Sequence, residues 1–371
     1  MIEDGSAARL RQLLLDRKVL VLCGAGGVGK TTTAAALALA AADLGRRALV
    51  LTIDPARRLA EALGIPAHSE HPTPVPPELL RAAGVTGAGS LDAWMLDPRV
   101  VFESLVRRLA TPERARAVLE TRLYKHLSEL VAGMQEYTAA EALHTFVAEG
   151  RYDLVVLDTP PSRNALDFLD APGRLGRFLD EGVVQAFLPH EGGGLLRRAG
   201  RLVGGVFARM FGESFVEELQ LFIGAFSGMF GAIRAHTDGV RALLASDGSS
   251  FLLVTSPETP ALHEALFFRE QIEARALPFA GFVLNRSLAL AAGLPHPEDA
   301  ALHGITAGTL EKLGPLADRE RRQAEADAIL LADLRDRAGP GRLAVAAPHL
   351  GDAVEDLRGL LLLARGMLDP P

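Results

Sequence analysis

The chain has 371 residues, 49% of them hydrophobic and 23% charged, with a formal net charge of −7. That balance is ordinary globular usage and excludes wholesale disorder, and the acidic excess argues against a protein that coats nucleic acid. The single cysteine, Cys23, excludes an internal disulfide framework and any multi-cysteine zinc or iron–sulfur site within one chain, and it fits a reducing, cytoplasmic setting. Met1 to Asp16 carries Glu3, Asp4 and Asp16 ahead of any apolar run, unlike a secretory leader. The longest charge-free apolar stretch outside the first helix runs from Leu219 to Ile233, short of the ~18–20 residues that a membrane span needs. No stable membrane insertion is expected.

In chain order, short apolar runs alternate with helical segments, the pattern of a parallel sheet covered on both faces. The expected strands are Lys18–Cys23, Arg47–Ile53, Ser90–Leu96, Leu154–Leu157, Phe251–Thr255, Phe279–Leu284 and Arg342–Ala346. An alanine-rich helix from Thr31 to Leu44 follows the first strand and stops at Gly45. Two stretches, 98–149 and 174–244, read as helices without strands between them and are expected to form one helical subdomain. Ser287–Gly341 is expected to hold two helices, the second a charged surface helix over Asp318–Arg337, and a last helix covers Asp352–Leu368. The expected class is therefore α/β: one domain over 1–371, a mostly parallel doubly wound sheet with an inserted α-helical subdomain.

Chemistry concentrates after the first strand. Gly24-Ala25-Gly26-Gly27-Val28-Gly29-Lys30-Thr31 matches G-x-x-x-x-G-K-[ST] between a strand and a helix, the context a phosphate loop requires. Glycines let the backbone curl so that its N–H groups converge on phosphate oxygens, and the helix N-terminus adds positive charge in the same direction. Lys30 would reach the outer phosphates, the Thr31 hydroxyl would join Mg²⁺, and Thr32 follows on the same first turn. Only four lysines occur in the chain (Lys18, Lys30, Lys125 and Lys312), so one at this position is informative. Asp158 and Asp54 each end an apolar run, and ligands of open α/β sheets bind outside the carboxyl ends of strands. Asp158 is a candidate for holding Mg²⁺ through water, and Asp54 for orienting the attacking water. The alternative for both is a helix cap or a turn-forming aspartate.

This set of motifs resembles the arsenite-pump and tail-anchored-protein-targeting ATPases. Thr52-Ile53-Asp54-Pro55-Ala56 resembles the family's first switch and Asp158-Thr159-Pro160-Pro161-Ser162 its second, while Gly133-Met134-Gln135-Glu136 resembles a further segment. The resemblance implies a Mg²⁺-dependent ATP hydrolase that works as a nucleotide-gated homodimer, or as a heterodimer with a paralogue. It also implies adenine contacts at Asn285 and at Pro348-His349. Asn285 has its own rationale, since an amide offers a donor and an acceptor to a purine edge, although a turn residue after a strand is the alternative.

The departures are specific. Ala25 stands where the family's extra lysine is expected, and alanine supplies no positive charge to a transition state. Hydrolysis is then slow, or Arg57, Arg58 or Arg163 substitutes, a surface salt bridge being the alternative for each, or a paralogous partner provides the lysine. Arg163-Asn164 replaces the family's Gly-His, and the cysteines that bind zinc or metalloid in relatives are missing.

Phe215, Phe222, Phe226, Met229 and Phe230 recur at helical spacing, with Phe207, Met210 and Phe211 upstream. These are candidates for a groove that takes a hydrophobic client segment. Core packing, a dimer interface, or membrane contact by 197–211 are the alternatives. Two further functional alternatives stand beside the ATPase: a weakly hydrolysing nucleotide-binding scaffold paired with an active paralogue, and a positioning ATPase of the ParA/MinD type.

Overall fold

Eight strands share one sheet: β1 Val19–Cys23, β2 Arg47–Thr52, β3 Thr73–Pro74, β4 Ser90–Met95, β5 Leu154–Asp158, β6 Ser249–Thr255, β7 Phe279–Ser287 and β8 Leu343–Pro348. Their order is β3-β4-β2-β5-β1-β6-β7-β8. Every neighbouring pair is parallel except β3 with β4. The computed structural model describes residues 5–53, 57–67, 69–120, 135–159, 238–294, 307–351 and 354–370. The seven expected strands are all present. The eighth, β3, is a two-residue antiparallel edge containing Pro74, too short to announce itself as an apolar run and tolerated because an edge strand needs no N–H there.

The central strands are apolar throughout because both faces are covered: all five residues of β1, all five of β5 and all seven of β6 are buried. Helices α1 (Ser6–Asp16) and α2 (Lys30–Asp43) lie on one face. Ala34 to Ala42 are all buried, and their small side chains let α2 pack between the sheet and the last helix, Leu357–Leu368. Arg46, just before β2, holds the carboxyl end of α1 by donating to the carbonyls of Leu14, at 2.5 Å, and of Arg17, at 2.6 Å.

The short helices α3 (Arg57–Leu63) and α4 (Pro77–Ala83) follow in the chain's first half. Two compact units divide the chain: Met1–Met95, Glu149–Ala165 and Leu244–Pro371 form the α/β unit, and Leu96–Ala148 with Leu166–Leu243 the other. Described helices of the second unit are α5 (Pro98–Leu109), α6 (Pro112–Leu119), α7 (Gln135–Glu149) and α8 (238–244). Within it Arg108 on α5 donates to Glu141 and, at 2.8 Å, to the Thr145 hydroxyl on α7.

On the opposite face of the sheet lie α9 (Thr259–Ala274), against β6 and β7, and α10 (Ala307–Ala338), against β7 and β8. Of the two helices expected between Ser287 and Gly341, the second, Asp318–Arg337, lies within one long helix that begins at Ala307 and passes through Pro315. Ahead of it the described residues hold one short 3₁₀ turn, Ala289–Ala291, and 295–306 lie outside the description. The last helix, α11, begins at Leu357 and not at Asp352, because the Asp356 carboxylate accepts from the Gly359 N–H at 2.8 Å and caps it. Among the described residues no helix is long and apolar enough to cross a membrane.

Candidate functional site

The phosphate loop leaves the centre of the sheet. β1 ends at Cys23, and Gly24, Gly27 and Gly29 carry positive φ angles of 152°, 77° and 89° before α2 begins at Lys30. At Gly24 the reason for glycine is space as well as torsion, since a Cβ would stand 2.1 Å from the Val254 carbonyl oxygen on β6. Thr33 closes the first turn by donating its hydroxyl to the Gly29 carbonyl at 2.9 Å. The Lys30 ammonium is buried and donates to the Ala25 carbonyl at 2.8 Å, so it spans its own loop.

Beside the loop, β5 delivers a carboxylate. Strand pairing sets Asp158 opposite Leu22 of β1 on one side and Thr52 of β2 on the other. Its Oδ2 accepts from the Thr31 hydroxyl at 2.5 Å and from the Thr52 hydroxyl at 2.9 Å, in a setting where Asp158 is only 2% exposed. Thr159 turns inward and donates to the Leu22 carbonyl at 2.7 Å. Thr52 had no role assigned from sequence alone. Its hydroxyl meets Asp158 only because β2 and β5 pair, which no local motif reveals.

The other end of the site comes from β7 and β8. A cavity of about 900 Å³ is lined by Gly27, Gly29, Lys30, Thr31 and Thr32 at one end and by Asn285, Arg286, Pro348 and His349 at the other. Asp158 and Thr159 also face it. Asn285 is buried and donates its Nδ2 to the Val28 carbonyl at 2.7 Å, which braces the back of the phosphate loop. A Cβ on Gly29 would stand 2.2 Å from that same nitrogen. One donor of the amide expected to meet a purine edge is thus already engaged.

Of the residues singled out from sequence, Gly27, Gly29, Lys30, Thr31, Thr32, Asp158, Asn285, Pro348 and His349 therefore face one cavity. Ala25 and Val28 are buried in the core beneath the loop. Cys23 is buried as well, and desolvation pushes its thiol up to about 12 against the opposing pull of Thr159 and Lys30. Asp54, Gly133, Met134 and Arg163 lie outside the described residues, as do the groove candidates Phe207, Met210, Phe211, Phe215, Phe222, Phe226, Met229 and Phe230. Arg57 and Arg58 start α3, and their side chains are likewise outside the description.

A family model described as Anion-transporting ATPase matches residues 17–291, which takes in the phosphate loop, the acidic strand end and Asn285. The chain belongs to the anion-transporting ATPase family. Among similar proteins, ATPase GET3 of Malassezia globosa is 30% identical over 181 residues, 48% of this chain and 50% of that protein. ATPase ASNA1 homolog 1 of Paramecium tetraurelia is 26% identical over 278 residues, 73% of this chain and 75% of its own length. Protein Rv2184c of Mycobacterium tuberculosis is 31% identical over 192 residues, 48% of this chain and 41% of that protein. The chain thus spans half or less of the Malassezia and Mycobacterium relatives. The mostly parallel sheet with a phosphate loop at its centre agrees with the α/β fold expected from the motifs of this ATPase family.

Proposed function

We propose that the chain binds ATP with Mg²⁺ in this cavity and hydrolyses it. One observation carries the reading. The hydroxyl of Thr31 and the carboxylate of Asp158 stand 2.5 Å apart beside the Lys30 ammonium and the loop's main-chain amides. That combines donors for phosphate oxygens with oxygen ligands for a hard cation. Among the described residues no group of three or more His, Cys, Asp or Glu gathers to cage a metal. This suits Mg²⁺, which keeps several waters and shares phosphate oxygens, with Thr31 as the direct ligand and Asp158 acting through water. When bound, Mg²⁺ supplies charge neutralisation at the transferring phosphoryl group.

Lys30 would leave the Ala25 carbonyl for the outer phosphates, exchanging one oxygen partner for another. Asp54, two residues past the end of β2, would orient the attacking water. Turnover is expected to operate in a nucleotide-gated dimer whose output is the handling of a hydrophobic protein segment. The family and the relative named GET3 support an ATPase reading; the dimer and the client at 207–230 rest on the resemblance and on the apolar spacing.

Phosphate release by the purified chain in Mg²⁺-ATP tests the enzyme. Release that disappears in Lys30→Ala and Asp54→Asn supports it, whereas no heat of ATP uptake and no release would sink it. Crosslinking of an apolar peptide that never maps to residues 195–233, in any nucleotide state, removes the client. Ala25 favours a second reading, in which the chain holds nucleotide and an active paralogue supplies the missing cation. Phosphate release that appears only on mixing with such a paralogue separates the two.

A further inference from the structure

The carboxyl end of β7 holds an arginine in a conformation that arginine disfavours. β7 and β8 keep step from Gly281 opposite Leu343 to Leu284 opposite Ala346, then slip so that Ser287 pairs with Pro348. Three steps along β7 cover two along β8, which makes a β-bulge at Asn285-Arg286. Arg286 takes up the extra residue at φ 56°, in the left-handed region where a Cβ is crowded. In a regular strand Asn285 and Arg286 would point to opposite faces. Here both line the nucleotide cavity, Asn285 buried beneath the phosphate loop and Arg286 exposed on the wall beside Pro348 and His349.

The strained turn is clamped from two sides. Asp327 of α10, 2% exposed, accepts from the Leu288 N–H at 2.8 Å and from the Ser287 hydroxyl at 3.4 Å. The Ser287 carbonyl accepts from the His349 N–H at 3.1 Å, and the Ser287 hydroxyl accepts from the Ala289 N–H at 3.0 Å. A surface arginine with no task gains nothing from this conformation, whereas strain held by its surroundings is a feature of ligand-gripping positions.

We propose that Arg286 grips the nucleoside end of the bound nucleotide, held in place by the β7 bulge. The inference rests on the ATP-binding reading above and adds a residue to it. Phosphates converge on the start of α2, behind β1, where Asn285 already braces the loop from β7. Arg286 is the next residue and shares its part of the wall with Pro348 and His349 at the end of β8, three strands from β1 and about 14 Å across the sheet, where a nucleotide presents its ribose and base. A guanidinium suits them, since its plane stacks on a purine and its five N–H groups reach ring and ribose oxygens or nitrogens.

Calorimetry with Mg²⁺-ATP and with tripolyphosphate, together with melting of the ligand-free protein, tests the proposal in the natural chain and in Arg286→Gly. The expected result is ATP affinity reduced about tenfold by the loss of stacking and donors. Tripolyphosphate affinity should stay within about twofold, and the ligand-free melting temperature should rise by about 1–3 °C as the left-handed strain is relieved. ATP affinity within about twofold of the natural chain overturns the proposal, and so does an equal loss for ATP and tripolyphosphate. Arg286→Asn, whose side chain tolerates a left-handed backbone, carries the same binding comparison should the glycine variant not fold. A natural chain that takes up no ATP overturns the ATPase reading, and this inference with it; a natural chain that binds while the variant binds equally well overturns this inference alone.

Discussion

The two ends of the cavity bend their backbones by different means. At the phosphate end the turns fall on Gly24, Gly27 and Gly29, residues for which a positive φ is cheap. At the β7 end the corresponding turn falls on Arg286, for which it is costly, and hydrogen bonds from α10 and from His349 hold it. The first end is pinned at Gly24, where nothing but hydrogen fits against the Val254 carbonyl, and at Gly29, where the Asn285 amide fills the space a side chain would need. The second is held because its neighbours clamp Ser287 and Leu288, the residues that follow Arg286, and so fix the turn that carries its side chain. One design uses the absence of a side chain and the other requires one, which is the physical sense in which the second end has something to contribute to the ligand.

The largest expected effect comes from putting a side chain where the first end excludes it. Gly24→Ala drives a Cβ to 2.1 Å from the Val254 carbonyl oxygen, on β6 one residue past its last pair with β1, Cys23 opposite Leu253. Backbone cannot swing away as a side chain can, so the strands must part. The expected cost is on the order of 3–5 kcal/mol, with ATP uptake lost, read by denaturant melting and calorimetry. A variant that melts within a degree or two of the natural chain would show that the loop is not seated against β6 as described.

Gly29→Ala is expected to be milder and partly repairable. The atom its Cβ would meet, at 2.2 Å, is the Nδ2 of Asn285, the end of a side chain. Removing that amide with Asn285→Ala clears the space, but leaves the Val28 carbonyl without its 2.7 Å donor and Gly29 with its positive φ of 89°. Each single substitution is expected to cost about 2 kcal/mol, and the double variant about 1 kcal/mol less than their sum. Strict additivity in a double-mutant cycle would mean that Asn285 does not brace the loop, and would leave its amide wholly for the ligand.

What could be read from the sequence follows the same division. The phosphate loop was legible because its whole mechanism is contiguous, from the strand through the glycines to Lys30 and Thr31. Asp158 was legible because it ends an apolar strand, although its bonds to Thr31 and Thr52 were not, since they depend on β5 lying between β1 and β2. Asn285, Pro348 and His349 were located through the family resemblance, with the amide's donor and acceptor as a further reason for Asn285, and their meeting on one cavity is a consequence of β7–β8 pairing between segments some sixty residues apart. The bulge at Arg286 was invisible, because a register slip is a property of two strands and arginine carries no signal for a left-handed turn. α10 was misjudged because Gly314-Pro315 ordinarily ends a helix, yet here the chain continues through it.

The smallest expected effect probes the clamp at the second end. Asp327 touches no part of the cavity wall that is assigned to ligand; it holds the backbone of Leu288 and the hydroxyl of Ser287, and accepts from Gln323 on its own helix at 2.8 Å. Asp327→Ala leaves the half-buried Leu288 N–H without that acceptor, at an expected cost of about 1 kcal/mol. If the clamp matters only for folding, melting should fall and ATP affinity should not change. If it holds Arg286 against the nucleotide, affinity should also fall by about twofold to threefold, since a loosened bulge populates the gripping conformation less often. The decisive comparison is made in an Arg286→Gly background, where there is no guanidinium left to position. There the stability loss from Asp327→Ala should persist and the affinity loss should vanish; an affinity loss that persists would assign Asp327 to the cavity as a whole and detach it from Arg286.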